Sequence, residues 1–340
     1  MRQSRRSARP REPRVTALAA AASGPMLPVM RLCAALWLCL AGCGATEPPR
    51  PTRAPAAPPP GVVRLTLDAS DGLSGLTTDG EGVHWVVPER ARHLYAIGPD
   101  GTRLHRLIGL PEEVDAEAIT WLGGRRFAIG TESSVADRAS DRIMIVEVLG
   151  QEARVVEDIE MPYAALGATP DDNDGIEGIC LAGDELLVAI EHAYEENGER
   201  VAVLARRRLD GGPWSASRVR LTSPIGKLSA LACRCARGGL EVLAIERGLR
   251  GLEWAGRVVR IPLGGPEPLQ AELVTDLAPH LPDHPNPEGL TFEGDDLLIV
   301  VDNHYGSVSG PSELLRVAQA ARPTAACPQG TERGTASAWP

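Results

Sequence analysis

Between residues 61 and 320 the apolar positions fall in short runs broken by Gly, Pro and Asp, and no helical apolar period is sustained anywhere in this stretch. The pattern predicts many short strands, and they are not scattered at random. One unit recurs: a small or acidic pair, a short apolar strand, a Gly/Asp turn, a second apolar strand and then an acid. In the first copy Ser74-Gly75-Leu76 leads to Val83–Val87 and Glu89; in the second Ala116-Glu117-Ala118-Ile119 leads to Arg126–Ile129 and Glu132. The third runs from Ile176-Glu177-Gly178-Ile179 through Glu185–Ile190 to Glu191, and the fourth from Leu228-Ser229-Ala230-Leu231 through Leu240–Ile245 to Glu246. In the fifth, Pro287-Glu288-Gly289-Leu290 is followed by Leu297–Val301 and Asp302.

The aligned positions 76, 119, 179, 231 and 290 lie 43, 60, 52 and 59 residues apart, a spacing that accommodates a four-stranded blade with its loops. Further strands are expected at 142–148 with 153–156, at 201–204 with 218–221, and at 257–261 with 272–274. After the last acid only 314–317 reads as a strand, whereas 62–67 precedes the first copy. The N-terminal strand is therefore expected to complete the last blade and leave no long free sheet edge. The expected fold is an all-β β-propeller of five blades, or six if one long interval hides a degenerate copy.

The geometry of a propeller changes how the repeated acids are read. The start of a blade's first strand and the end of its second share one face, so Glu117, Glu177 and Glu288 are expected to gather with Glu89, Glu132, Glu191, Glu246 and Asp302 at one mouth. Two carboxylates ~7 Å apart repel by about 2–3 kcal/mol at an effective dielectric near 20, so such a ring needs a cation, protons or basic partners. Calcium suits a ring of oxygen donors that lacks imidazole and thiolate. Arg90 and Arg247 could instead pair with part of the ring, and the acids could simply cap strand ends. The run Asp171-Asp172-Asn173-Asp174-Gly175 resembles a calcium loop but lacks the closing acid and has Pro170 where the first ligand should be, so it reads more readily as a solvated turn.

The N-terminus follows a different pattern. Residues 30–43 combine a positive start, a short apolar run and the ending Leu40-Ala41-Gly42-Cys43, which resembles the lipobox of bacterial lipoproteins. Residues 1–42 are expected to be a signal peptide, with translation starting at Met1, Met26 or Met30, and Cys43 to carry lipid. Seven prolines between 45 and 60 predict a semi-rigid linker over 43–60. The propeller then spans 61–320, and 321–340 reads as a disordered tail. The protein is expected to be exported, anchored to the envelope membrane through lipid on Cys43, and monomeric. Cys180, Cys233, Cys235 and Cys327 remain in the mature chain, and their spacing leaves the pairing open.

Charge narrows the partners. The chain has 45 acidic against 35 basic residues, and seven of the arginines precede Cys43, so the mature part is more acidic still. Nucleic acid is disfavoured as a partner. The chain contains no Gly-x-Ser-x-Gly elbow, which disfavours a serine esterase.

The segments Asp174-Gly175-Ile176-Glu177-Gly178-Ile179 and Asn286-Pro287-Glu288-Gly289-Leu290, with Val301-Asp302-Asn303, resemble the bacterial phytase-like family, described by an esterase-like activity of phytase. The resemblance covers most of residues 70–305. It implies a β-propeller, calcium dependence and a phosphoester or ester hydrolase, with Glu177, Glu288 and Asp302 at the positions that match best. Glu117 is followed by Ala118 instead of Gly, and the fourth copy carries Ser229 in place of the acid. The site expected from all of this has Glu177, Glu288, Asp302 and His304 as catalytic groups. Arg90, Arg247, His192 and Asn303 bind a small phosphorylated or ester substrate, and Glu117, Glu132, Glu177, Glu191, Glu246, Glu288 and Asp302 ligate calcium. The alternative is a non-catalytic propeller that binds a ligand or protein at the cell surface.

Overall fold

The computed structural model describes residues 61–318 apart from 70–71, 91, 112–114, 134, 136–137, 172–173, 237–238, 282–284 and 304–309. The expected signal peptide, Cys43, the linker and the tail from 321 lie outside these residues. β1 (Val62–Thr66) comes first, followed by four antiparallel strands β2 (Leu73–Thr78), β3 (His84–Pro88), β4 (His93–Ile97) and β5 (Arg103–Ile108). The next meander is β6 (Asp115–Gly123), β7 (Arg126–Glu132), β8 (Ser140–Leu149) and β9 (Glu152–Pro162), closed by the one-turn helix α1 (Tyr163–Leu166). β10 (Ile176–Ala182), β11 (Glu185–Glu196), β12 (Glu199–Arg208) and β13 (Ser215–Arg220) form the third, and β14 (Lys227–Ala236), β15 (Gly239–Arg250) and β16 (Glu253–Arg260) begin the fourth. The short β17 (Leu269–Gln270) pairs parallel with β13, and β18 (Glu272–Asp276) completes the fourth meander against β16. Finally β19 (Asn286–Glu293), β20 (Asp296–Asp302) and β21 (Glu313–Val317) are joined by β1, whose Val62 lies opposite Val317. The N-terminal strand thus completes the last meander, as its sequence position predicts. A parallel contact between Ile108 and Glu152 links the outer strands of the first two meanders.

Each meander is apolar on both faces and packs against two neighbours, so the core is divided among the junctions. Trp85, Phe127 and Ile129 fill one junction, Ile143, Ile176 and Ile190 the next, and Ala189, Leu204 and Val242 a third. Leu243, Ile299 and Leu315 occupy the fourth, and Leu73, Val86, Leu298 and Val300 return the series to its start. First strands touch in the same cyclic order, β2, β6, β10, β14 and β19, and β19 packs back on β2. This is a β-propeller, with no open end to the ring of first strands.

The recurring motif has a backbone explanation. Near the start of all five first strands the ladder skips one residue, and the residues skipped there are Ser74, Glu117, Glu177, Ser229 and Glu288. A bulge leaves its residue unpaired and re-aims the side chain, which here turns the motif's polar position out of the ladder. The following glycine matters for a second reason: a Cβ on Gly178 would stand 2.7 Å from the backbone of Ala230 and Leu231, and one on Gly289 would stand 2.7 Å from the Leu76 amide. Only glycine lets successive first strands approach so closely. The same junction carries a disulfide between Cys180 on β10 and Cys233 on β14, with their Cα atoms 5.5 Å apart. That settles a pairing that spacing alone leaves open.

Candidate functional site

At the end of the ring where the bulges lie, thirteen side chains enclose a cavity of about 440 Å³. Glu117, Glu177 and Glu288 reach it from bulges, Glu132 and Asp302 from the ends of second strands, and Glu191 from the point where β11 runs on past its pairing with β10; all six are buried. Glu89, Asp115 and Asp174 add three more carboxyls, and Asn286 adds an amide. Against these nine acids stand Arg90, Lys227 and Arg247.

Arg247 holds the centre of one half. Its Nη2 lies 3.1 Å from Glu191 Oε1, 3.3 Å from Glu288 Oε2 and 3.4 Å from Glu177 Oε2, and its Nη1 donates to Asn286 Oδ1. Asn286 in turn donates from Nδ2 to Glu288 Oε1. Lys227 Nζ is 2.6 Å from Asp174 Oδ1 and 3.6 Å from Glu191 Oε2, so Glu191 bridges both cations. Ser74 Oγ donates to Glu117 Oε2 at 2.6 Å, and the Gly175 amide donates to Glu132 Oε1.

Three cations do not balance nine acids, and burial shifts six of the carboxyls toward their protonated form. Burial pushes up the carboxyls of Glu89, Asp115, Glu117, Glu132, Glu177 and Glu288. Neighbouring acids add to this: Glu191 and Glu117 act on Glu177, and Glu89 acts on Glu117. Glu132 is raised to about 7 by burial, partly offset by the Gly175 amide, and Glu288 to about 8 by burial, partly offset by Arg247. Asp174 moves the other way. Burial works against its charge, but hydrogen bonds from His192 and Lys227 hold its pKa well below the usual carboxylate range.

The donors suit a hard cation in kind, since all are carboxylate or amide oxygens. The buried Glu288 Oε2 also accepts no hydrogen bond, although Arg247 lies within ion-pair distance. Among the described residues, however, no three His, Cys, Asp or Glu converge closely enough to chelate an ion directly. The acids fit calcium by their chemistry, without forming a finished cage.

With this arrangement in view, the match of the phytase-like family model, described as esterase-like activity of phytase, to residues 69–305 is decisive. The chain belongs to this family. No curated protein matches it. Solved structures with a related fold include the PQQ-bound aldose sugar dehydrogenase of Streptomyces coelicolor, 14% identical with a TM-score of 0.47 over 77% of this chain and 99% of that one. Virginiamycin B lyase of Staphylococcus aureus is 12% identical with a TM-score of 0.39, covering 76% and 98% of the two chains. The gluconolactonase XC5397 of Xanthomonas campestris is 11% identical with a TM-score of 0.36, covering 75% and 89%. Likenesses this loose say nothing about the site.

Most of the expected residues of this phytase-like protein meet in the cavity: Arg90, Glu117, Glu132, Glu177, Glu191, Arg247, Glu288 and Asp302. Glu246 is a correction. It is fully buried away from the cavity lining, and it accepts bonds from the Thr222 amide at 2.9 Å, the Thr222 hydroxyl at 2.8 Å and the Ser223 amide. The fourth repeat uses its acid to hold a loop, which is the strand-end capping that the sequence also allowed. Asn303 does not line the cavity either; its Nδ2 donates to Pro311 O and Glu313 Oε2. His192 stands behind the wall, 3.6 Å from Asp174. His304 lies outside the described residues.

Sequence reasoning missed Asp115, Lys227 and Asn286, and a signal for them exists. Each sits two residues before a bulge, at Asp115-Ala-Glu117, Lys227-Leu-Ser229 and Asn286-Pro-Glu288. It also treated Asp174 as part of a turn, whereas its side chain faces the cavity.

Proposed function

We propose that the protein is a metal-dependent phosphoester or ester hydrolase working at the acidic mouth of a five-bladed propeller, one blade per meander. The observation that carries this reading is the set of buried carboxyls with raised pKa values around one substrate-sized cavity, Glu132 at about 7 and Glu288 at about 8. Perturbed acids concentrated in a cleft are the mark of acid–base chemistry, and a group that titrates near the working pH transfers protons best. Glu288, still protonated at neutral pH, is placed to donate to a leaving oxygen. Glu132, titrating near 7, is suited to accept a proton from water. Glu117, Glu177 and Asp302 would hold calcium, and bound calcium would supply polarisation of a phosphoryl oxygen and a more acidic water. Arg90 at the rim would orient the substrate's anionic group, and Arg247 within would hold the carboxylates around it.

The same proposal places the protein outside the cytoplasm, anchored by lipid on Cys43, as a monomer with no nucleic-acid partner. The Cys180–Cys233 bridge supports this location, since structural disulfides persist in oxidising compartments. Calcium titrated calorimetrically into the mature chain is expected to bind, and to bind at least about tenfold more weakly in Glu117→Gln and Glu177→Gln. Undiminished binding in both variants would remove the cation from this cavity.

A further inference from the structure

Lysine occurs once in this chain. Of 35 basic residues 34 are arginine, and the exception, Lys227, is among the described residues one of three that line the cavity. Where arginine serves every other basic position, the ammonium at 227 brings to the cavity a compact head with three rotatable donors in place of a planar fork.

The surroundings of Lys227 say what that place requires. Lys227 opens β14 directly opposite Arg247 on β15, so two cations are cross-strand partners at the cavity wall. Like charges in that position repel unless an anion lies between them. Here the anion is the Glu191 carboxylate, with one oxygen 3.1 Å from Arg247 Nη2 and the other 3.6 Å from Lys227 Nζ. A two-oxygen anion spanning an ammonium and a guanidinium is the arrangement that a phosphoryl group would also adopt. The two cations differ in their freedom to accept one. Arg247 is 15% exposed and engaged by Glu177, Glu191, Glu288 and Asn286, whereas the Lys227 side chain is 34% exposed and tethered by Asp174 and, more loosely, Glu191. Burial opposes the charge on Lys227, yet Glu191 and Asp174 more than offset it and raise its pKa, so the ammonium stays charged.

We propose that Lys227 is the substrate-positioning residue of this cavity, its ammonium staying on Asp174 and giving up its looser contact with Glu191 to take a phosphoryl oxygen while Arg247 holds the carboxylates behind it. The proposal rests on the reading of the cavity as a phosphoester hydrolase, and it names the residue that sets affinity for the anionic group. Arginine at 227 would carry the charge on a longer, planar head that crowds Arg247, so it is not expected to replace lysine.

A single lysine gives a single probe. The full chain labelled with 13C-lysine should show one side-chain Cε resonance. Titration with inorganic phosphate is expected to shift that resonance saturably, and chloride at equal ionic strength is expected to leave it in place. In turnover of a phosphomonoester, Lys227→Met and Lys227→Arg should both raise KM by about ten- to a hundredfold, the loss of one charge-assisted contact, with kcat little changed. A resonance unmoved by phosphate, or a Lys227→Arg variant with the original KM, would overturn the assignment. Turnover by the unaltered chain separates the two levels: if it persists, only the role of Lys227 falls, and if no phosphoester is cleaved, the hydrolase reading falls with it.

Discussion

Replacing Arg247 with Met is expected to destabilise the folded protein by roughly 3–5 kcal/mol at pH 8, because it strands buried carboxylates that share one guanidinium. The partners are Glu177, Glu191 and Glu288, at 3.1 to 3.4 Å. The loss should shrink as the pH falls. Burial raises the carboxyls of Glu177 and Glu288 above their ordinary values, so both take up protons on acidification and need the guanidinium less. Denaturant midpoints of the parent and the variant at pH 5 and pH 8 check this directly. A loss below about 1 kcal/mol at pH 8, the scale of an exposed ion pair, would show that Arg247 does not neutralise the ring.

Glu288→Gln is expected to act on chemistry and stability in opposite directions. Removing a proton donor from the reacting centre should lower turnover by roughly 10²- to 10⁴-fold. The stability effect follows from the sign of the shift. A carboxyl raised from 4.5 to about 8 on folding contributes stability that is fully present below pH 4.5 and is lost as pH rises through 8. The parent should therefore melt at progressively lower temperature between these limits, with Glu132, raised to about 7, adding to the decline. In Glu288→Gln, whose amide does not titrate, that decline should be shallower. Melting temperatures across pH 5 to 8.5, measured beside the turnover assay, test both halves. A variant with full turnover and an unchanged pH slope would remove Glu288 from the mechanism.

The architecture was legible because the repeat imposes the same physical demand in every copy. Two apolar strands around a turn, closed by an acid, must bury both faces between neighbours, and the 62–67 strand had no partner except the one after 313. The gathering of Glu117, Glu177 and Glu288 was legible for the same reason. What escaped was the bulge. Strict alternation predicts that residues two apart share a face, but it does not reveal that the ladder skips Glu177 or Glu288, which frees their side chains to point at the cavity. The exclusion of Glu246 was hidden too, since its loop partners Thr222 and Ser223 lie in a stretch with no repeat counterpart to suggest them. Lys227, the one lysine of the chain, acquires meaning only from its place opposite Arg247. The disulfide could not be chosen from spacing, because it depends on which first strands are neighbours.

The most direct test is release of phosphate from a simple phosphomonoester by the mature chain, with calcium and again with a chelator in excess. The account predicts turnover with calcium, its loss with the chelator and its return when calcium is restored. No release under either condition, from phosphoester or carboxylic ester, would contradict it and leave the acidic mouth as a binding surface.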